Sequence, residues 1–504
     1  MKKSVGTASA QPTMKAFSSA QYLLEDLPRT LFPMGTTRCL VESGADELFE
    51  FVYKKALNQQ DDTAFVPQAR CFAAKSDFHL RRTLKLDPCA ELFIYDLVYR
   101  NRKAFRQDHR SNRISFGYRF SEGRPISPMT SYREFRKAGR EAERTYKYSL
   151  QLDVALYFNS VYHHDLVSYF SDNGWPSEDV VHLGQFLREI NAGRSIDCLP
   201  QGLNPCKAIG AEFLRFIDNS ARLRSPLLLR FLDDIALYSD DESDLTADLL
   251  AIQVLLGEKG LSLNAAKTKR QTGGAPSVED AVDEMKVSLL QIRQELIEVS
   301  GEPREVEVEE YRALSDEQTE YLLALLRAED LDEADAELIL TLLTENGDEV
   351  LLQLGRILSR FPTLAKTLFS FLSKSNSREG LGDIVLSFVK NQNLVATEYQ
   401  LFWLAAIAEA FLSAEPTYGD VLMALFEHRF ATPVSQARVL EIPENRFGMP
   451  ELRAGYLRSG QSNWLAWAAA AGCRKQTPQS RNHLLSYFAN ASPINRVMAT
   501  ILMK

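Results

Sequence analysis

The chain has 504 residues, 45% of them apolar and 25% charged, with a formal net charge of -9. That composition excludes wholesale disorder, and the length exceeds the roughly 250 to 300 residues at which single cores stop growing, so at least two domains are expected. No apolar run approaches the roughly 18 to 20 residues of a membrane span, and "MKKSVGTASAQPTMKAF" has no apolar segment behind its lysines, so a cytoplasmic protein with no membrane partner is expected. Six cysteines (Cys39, Cys71, Cys89, Cys198, Cys206, Cys473) lie scattered without C-x-x-C pairing, which argues against both a zinc site and a disulfide framework.

Charge is unevenly spread. Residues 1–275 hold 37 Lys and Arg against 34 Asp and Glu, leaving 21 against 33 for residues 276–504. The basic excess sits in "FHLRRTLKLDPC", "YRNRKAFRQDHRSNRISFGYRF" and "YREFRKAGREAERTYKY", where arginines alternate with Tyr and Phe, a mixture suited to phosphate neutralisation and base stacking. In chain order, "LRRTLKLDP", "SLQLDVALYF" and "PLLLRFLDDIALYS" predict short strands, and "EDVVHLGQFLREINAG" and "DLTADLLAIQVLLGEKG" predict helices between and after them, giving an α/β or α+β first domain. "QTGGAPS" marks a boundary, placed at 275/276. Beyond it, segments from "DEQTEYLLALLRAED" to "YGDVLMALFEHRF" show helical periodicity with short breaks, which predicts an all-α domain of stacked HEAT-like pairs over 276–504. The acidic run from Glu279 to Glu349 would repel nucleic acid unless docked on the basic half.

Two Asp-Asp pairs stand six residues apart. Asp233-Asp234 lies between "LLLRFL" and "IALY", so two strands should meet around it in a hairpin with the carboxylates at the tip. Asp240-Asp241 opens "SDDESDLTADLLAIQVLL" and reads as a helix start, its carboxylates capping free N–H groups. Asp153 falls within another apolar strand, where an unpartnered charge would cost several kcal/mol. Three carboxylates from two strands could hold two hard cations about 3.5 to 4 Å apart, as nucleotidyl transfer requires, and oxygen ligands without a His or Cys cluster favour Mg²⁺ or Mn²⁺.

The order of these motifs resembles the reverse transcriptases. "LDVALYFNSVYHH" is similar to their first palm motif, "LPQGLNPCKAIGAEFL" to the Pro-Gln-Gly motif, "FLDD" to the aromatic-x-Asp-Asp motif, and "GLSLNAAKTK" to the segment that follows, with "RRTLKLDP" similar to the fingers strand. The resemblance implies that Asp153, Asp233 and Asp234 are the catalytic, metal-binding carboxylates, with the carbonyl of Val154 a further ligand. It implies that Phe158 is the steric gate selecting dNTPs, that Gln201 and Gly202 line the nucleotide site, and that Arg82 and Lys267 bind the triphosphate. Phe stands where many members have Tyr in the Asp-Asp motif, and "LNPCKA" follows the Pro-Gln-Gly motif where templated enzymes more often have small residues and a Ser.

A reverse-transcriptase palm followed by helices over about 230 residues resembles the Abi polymerases of abortive-infection anti-phage defence. That resemblance implies an α+β fingers/palm domain (1–275) followed by a HEAT-like domain (276–504), and template-independent DNA synthesis from dNTPs. It further implies priming by a Tyr hydroxyl, a single-stranded DNA product covalently attached to the protein, and a homo-oligomer. An RNA-templated reverse transcriptase of retron or intron type is the nearest alternative. A palm kept as scaffold beside a helical binding module is the third.

Overall fold

The computed structural model describes residues 17–60, 63–106, 112–272, 289 and 314–504. The expected boundary at 275/276, and much of the acidic run from Glu279, lie outside these residues. Among the described residues nine strands form three sheets. Strands β1 (Ala69–Ala74) and β2 (Leu80–Lys85) make an antiparallel hairpin. Strands β3 (Arg113–Phe116), β4 (Phe120–Ser121) and β5 (Arg124–Pro125) follow, β4 and β5 as a small hairpin. β6 (Tyr148–Asp153), β7 (Leu227–Phe231), β8 (Asp234–Ser239) and β9 (Lys269–Thr272) then join β3 in a five-stranded sheet of order β3-β7-β8-β6-β9.

Alternation along these strands sorts their side chains onto two faces. Leu150 and Leu152 of β6, Leu228 of β7, and Ile235 and Leu237 of β8 enter the main core. The opposite face presents Phe116, Leu229, Phe231, Ala236 and Tyr238, covered by Phe135, Ala138 and Ala142 of the helix Pro128–Thr145. Asp153, Asp234 and Gln151 share the parity of this second face, so the helix lies over the same side of the sheet as the carboxylates.

The predicted strand from Ser149 ends at Asp153, and Leu156 in the left-handed region (φ 47°) turns the chain into the short helix Tyr157–Ser160. The two acid pairs separate as their flanks predict. Phe231 pairs with Asp234 across the β7–β8 hairpin, leaving Leu232 and Asp233 as its turn. Asp241 caps the helix Glu242–Gly257 by accepting from the Ser243 N–H (2.8 Å), while Asp240 accepts from the Lys147 N–H (2.9 Å).

From Leu354 onward most helices touch the next but one along the chain. Ala365–Lys374, Glu398–Phe411, Pro433–Leu440 and Trp464–Gly472 form one row, and Leu354–Arg360, Leu381–Lys390 and Tyr418–Phe426 a second. The first row meets β1 and the helix Gly35–Glu50, and a single apolar cluster runs from Tyr22 to Leu502. Buried polar contacts lock this seam. Glu441 accepts from the N–H groups of Gly35 and Thr36 at the start of the Gly35–Glu50 helix, and Trp464 Nε1 donates to the Lys85 carbonyl (3.2 Å). All six cysteines are unpaired, five of them buried, and among the described residues no helix is long and apolar enough to cross a membrane.

Glu398 sits in the same seam, accepting from the Phe72 N–H (2.7 Å) and the Thr432 hydroxyl (2.5 Å). Burial pushes its carboxyl from 4.5 up to about 7. The folded chain therefore holds this proton where the unfolded chain has released it. Stability should be greatest below pH 4.5 for this group and fall by roughly 3 kcal/mol as pH rises to about 7. Melting temperature against pH should show that loss flattened in Glu398→Gln.

Candidate active site

Asp153 at the end of β6 lies directly opposite Asp234 at the start of β8, and Asp233 stands in the adjoining turn. The turn is held from beneath. Arg230, fully buried, donates to the Leu232 carbonyl (2.9 Å) and forms a bidentate pair with Asp218 (2.8 and 2.5 Å). Asp153 is 9% exposed, and both its carboxylate oxygens are engaged. Lys267 Nζ donates to Oδ1 (2.9 Å) and Asn264 Nδ2 to Oδ2 (3.1 Å), while the Asn264 N–H donates to the Asp153 carbonyl (2.8 Å).

Burial and the adjacent Asp234 push the Asp233 carboxyl up to about 6, and burial followed by the Asp153 charge raises Asp234 as well. The trio is thus short of positive charge. Lys267, its own pKa raised by the hydrogen bond to Asp153, supplies one cation. Among the described residues no three His, Cys, Asp or Glu groups are drawn close enough to form a ready metal cluster. The oxygen-only donor set and the mutual repulsion nevertheless fit a hard divalent cation, which would compete with Lys267 for Asp153.

A cavity of about 730 Å³ opens on Asp153 and Asp233. Phe158, Gln201, Gly202, Arg82, Val154 and Lys267, all singled out from the sequence, line it. The Phe158 ring is 9% exposed beside Gly210, where a Cβ would come within 3.5 Å of it. Gln201 is fixed at both ends: its N–H donates to Thr83 Oγ1 (2.7 Å) and its Nε2 to Asn159 Oδ1 (2.8 Å). Gly202 has φ +97°, and a Cβ there would lie 2.7 Å from Leu31 Cγ. Gly202→Ala should therefore distort this wall as well as strain the backbone, measurable as weaker nucleotide binding.

Arg82 does not stand free in the cavity. Its Nε pairs with Asp197 (2.8 Å), so a triphosphate would have to draw it away. Sequence reasoning passed over Asn264, Lys207 and Asp197. Asn264 had a signal, since "NAAK" puts it three residues before Lys267 at the same carboxylate. Lys207 follows the Pro-Gln-Gly motif in "LNPCKA" and lies over the Tyr118 ring (5.2 Å) at the cavity wall.

Residues 110–321 match the family described as reverse transcriptase (RNA-dependent DNA polymerase). The match takes in the five-stranded sheet and ends within the helix Asp316–Arg327, covering under half of the chain. It supports a reverse-transcriptase-like family, and with it nucleotidyl-transfer polymerase activity on nucleotide substrates. No curated protein matches the chain.

Proposed function

We propose that this reverse-transcriptase-like chain is a DNA polymerase of the abortive-infection kind, making DNA from dNTPs without a template and priming on one of its own tyrosines. The observation that carries the reading is the opposition of Asp153 and Asp234 across β6 and β8, with Asp233 in the adjoining turn, at the mouth of a cation-lined cavity. Asp153, Asp233, Asp234 and the Val154 carbonyl would hold Mg²⁺ or Mn²⁺. When bound, the ions supply charge that activates a hydroxyl and stabilises the departing pyrophosphate. Arg82 and Lys267 orient the triphosphate, Gln201 and Gly202 shape the wall behind the base, and Phe158 closes the space a ribose 2′-hydroxyl would need. Replacing that ring in Phe158→Ala should raise rNTP use relative to dNTP by about tenfold or more.

Residues 1–275 act in this proposal as fingers and palm, and 276–504 as a HEAT-like array, consistent with its two rows of helices. Assembly into a homo-oligomer belongs to the same reading. Tyr118, Tyr132, Tyr157 and Tyr238 line the cavities at the carboxylates, and of these four Tyr132 is exposed (44%) while the others are buried. Tyr22 and Tyr95 are buried with hydroxyls donating to Asn204 and Asp26, Tyr53 donates to Asp96, and Tyr99 to the Phe17 carbonyl. Tyr132 is therefore the primer we expect. With labelled dNTPs and Mn²⁺, label should migrate with the wild-type protein on a denaturing gel, shift after protease, and be lost in Tyr132→Phe but kept in Tyr118→Phe. Label that stays protein-free and needs an added template and primer would instead favour the RNA-templated enzyme.

A further inference from the structure

Away from the carboxylates, a cleft of about 670 Å³ opens along the seam between the helix Gly35–Glu50 and the first row of helices. Arg38, Lys366, Arg438 and Arg474 line it against Glu42 and Glu409. Two of the cations are already committed. Arg438, 8% exposed, pairs with Glu409 (2.6 Å) and Glu441 (3.0 Å), and Arg474 donates to the Glu441 carbonyl (2.7 Å). The Nε of Arg438, buried on the same wall, has no acceptor. The other two cations have no carboxylate. Arg38 is exposed and forms no ion pair among the described residues, not even with the exposed Glu42 one helical turn on. Lys366 directs its ammonium at the carbonyls of Arg29 (3.0 Å) and Thr30 (3.2 Å) and over the Trp403 ring (5.4 Å). Burial, followed by the Lys207 charge, pushes its pKa from 10.5 down to about 8.

The segment from Leu27 to Met34 joins this cleft to the nucleotide cavity. Leu27, Pro28, Pro33 and Met34 line the cleft, whereas Leu31 packs on Gly202 at the wall of the other site. Phe32 is held edge-on by Tyr399 (5.8 Å) and Phe402 (5.2 Å). The carbonyls that Lys366 holds therefore belong to the two residues immediately before the Gly202 contact.

We propose that the cleft binds a nucleoside phosphate, its phosphate on Lys366 and Arg38 and its base against Pro28, Pro33 and Phe369, and that its occupancy weakens dNTP binding in the neighbouring cavity. Charge-assisted hydrogen bonds to a phosphate are stronger than those to neutral carbonyls, so a bound phosphate draws Lys366 away from residues 29 and 30. That loosens the segment backing Gly202, whose left-handed turn shapes the dNTP wall. The volume lies within the roughly 300 to 1,000 Å³ of small-molecule sites, and an inorganic anion alone would leave the apolar side uncovered. The ligand site stands on its own geometry. Its effect on dNTP rests on the polymerase reading above.

The probe is ADP, because its ribose 2′-hydroxyl is what Phe158 would exclude from the nucleotide cavity. Isothermal titration of the full chain with ADP in EDTA should show one site, weakened at least about tenfold in Arg38→Gln/Lys366→Met, which removes two charge-assisted phosphate contacts. Arg82→Gln, at the other cavity, should change ADP affinity less than about twofold. In the wild type, 8-azido-ADP should label within 27–43 or 366–403, a readout that does not depend on how the variants fold. Saturating ADP should then weaken dTTP binding with Mg²⁺ at least about fivefold, and the double variant should lack this effect. No ADP binding, equal loss in Arg82→Gln, or label confined to the nucleotide cavity would overturn the site. Inorganic phosphate that binds as tightly as ADP would overturn the place given to the base. Unchanged dTTP affinity would overturn the coupling, as would an ADP effect that persists in the double variant, which is plain competition. Failure of dTTP to bind at all counts against the polymerase reading and leaves the ADP site standing.

Discussion

Asp234→Asn is expected to lower nucleotide incorporation roughly 10³-fold or more, since several kcal/mol of transition-state stabilisation pass through the ions its carboxylate would hold. The same change should leave the fold intact and raise the melting temperature. Asp234 keeps an exposed position at the strand start, yet desolvation of its carboxyl, followed by the Asp153 charge, holds its pKa up, so the ionised side chain is unfavourable there. A residue kept for stability would give the opposite pair of results. Steady-state incorporation and thermal melting on the same preparation check both halves.

Asp218→Ala should have the largest effect on stability, a loss of about 3 to 5 kcal/mol, because it strands the fully buried Arg230 guanidinium without its carboxylate. Most domains have only about 5 to 15 kcal/mol in total. The loss should reach the active site too, because Arg230 also donates to Leu232, which sits at φ 59° in the turn that presents Asp233. Removing both charges together, in Asp218→Leu/Arg230→Met, should cost less than Asp218→Ala alone, since no buried charge is left unpaired. Denaturant titration of the three proteins decides it. A double variant less stable than Asp218→Ala would show that the pair itself, rather than the avoidance of a lone charge, stabilises the hairpin.

Much of the site could be read from local pattern. Two apolar runs meeting at Asp233-Asp234 dictate a hairpin, and Ser and acidic residues ahead of a long amphipathic stretch dictate a capped helix at Asp241, and both are found. Partners distant in sequence could not be read that way. Nothing near Arg230 announces Asp218 as its counter-ion, nor does anything near Arg82 point to Asp197 across more than a hundred residues. The basic, aromatic character of "YREFRKAGREAERTYKY" was visible, but which sheet face its helix covers depends on Phe135, Ala138 and Ala142 finding Phe116, Leu229 and Ala236, a tertiary choice. The seam between the two halves rests likewise on long-range contacts, such as Glu441 capping the helix that begins at Gly35.

The most direct measurement is to incubate the purified full chain with labelled dNTPs and Mg²⁺ or Mn²⁺, without any nucleic acid, beside Asp153→Asn and Asp234→Asn. Incorporation by the wild-type protein, absent from both variants, is the predicted result. Incorporation that survives in either variant, or none with or without template and primer, would contradict the assignment of these carboxylates to catalysis.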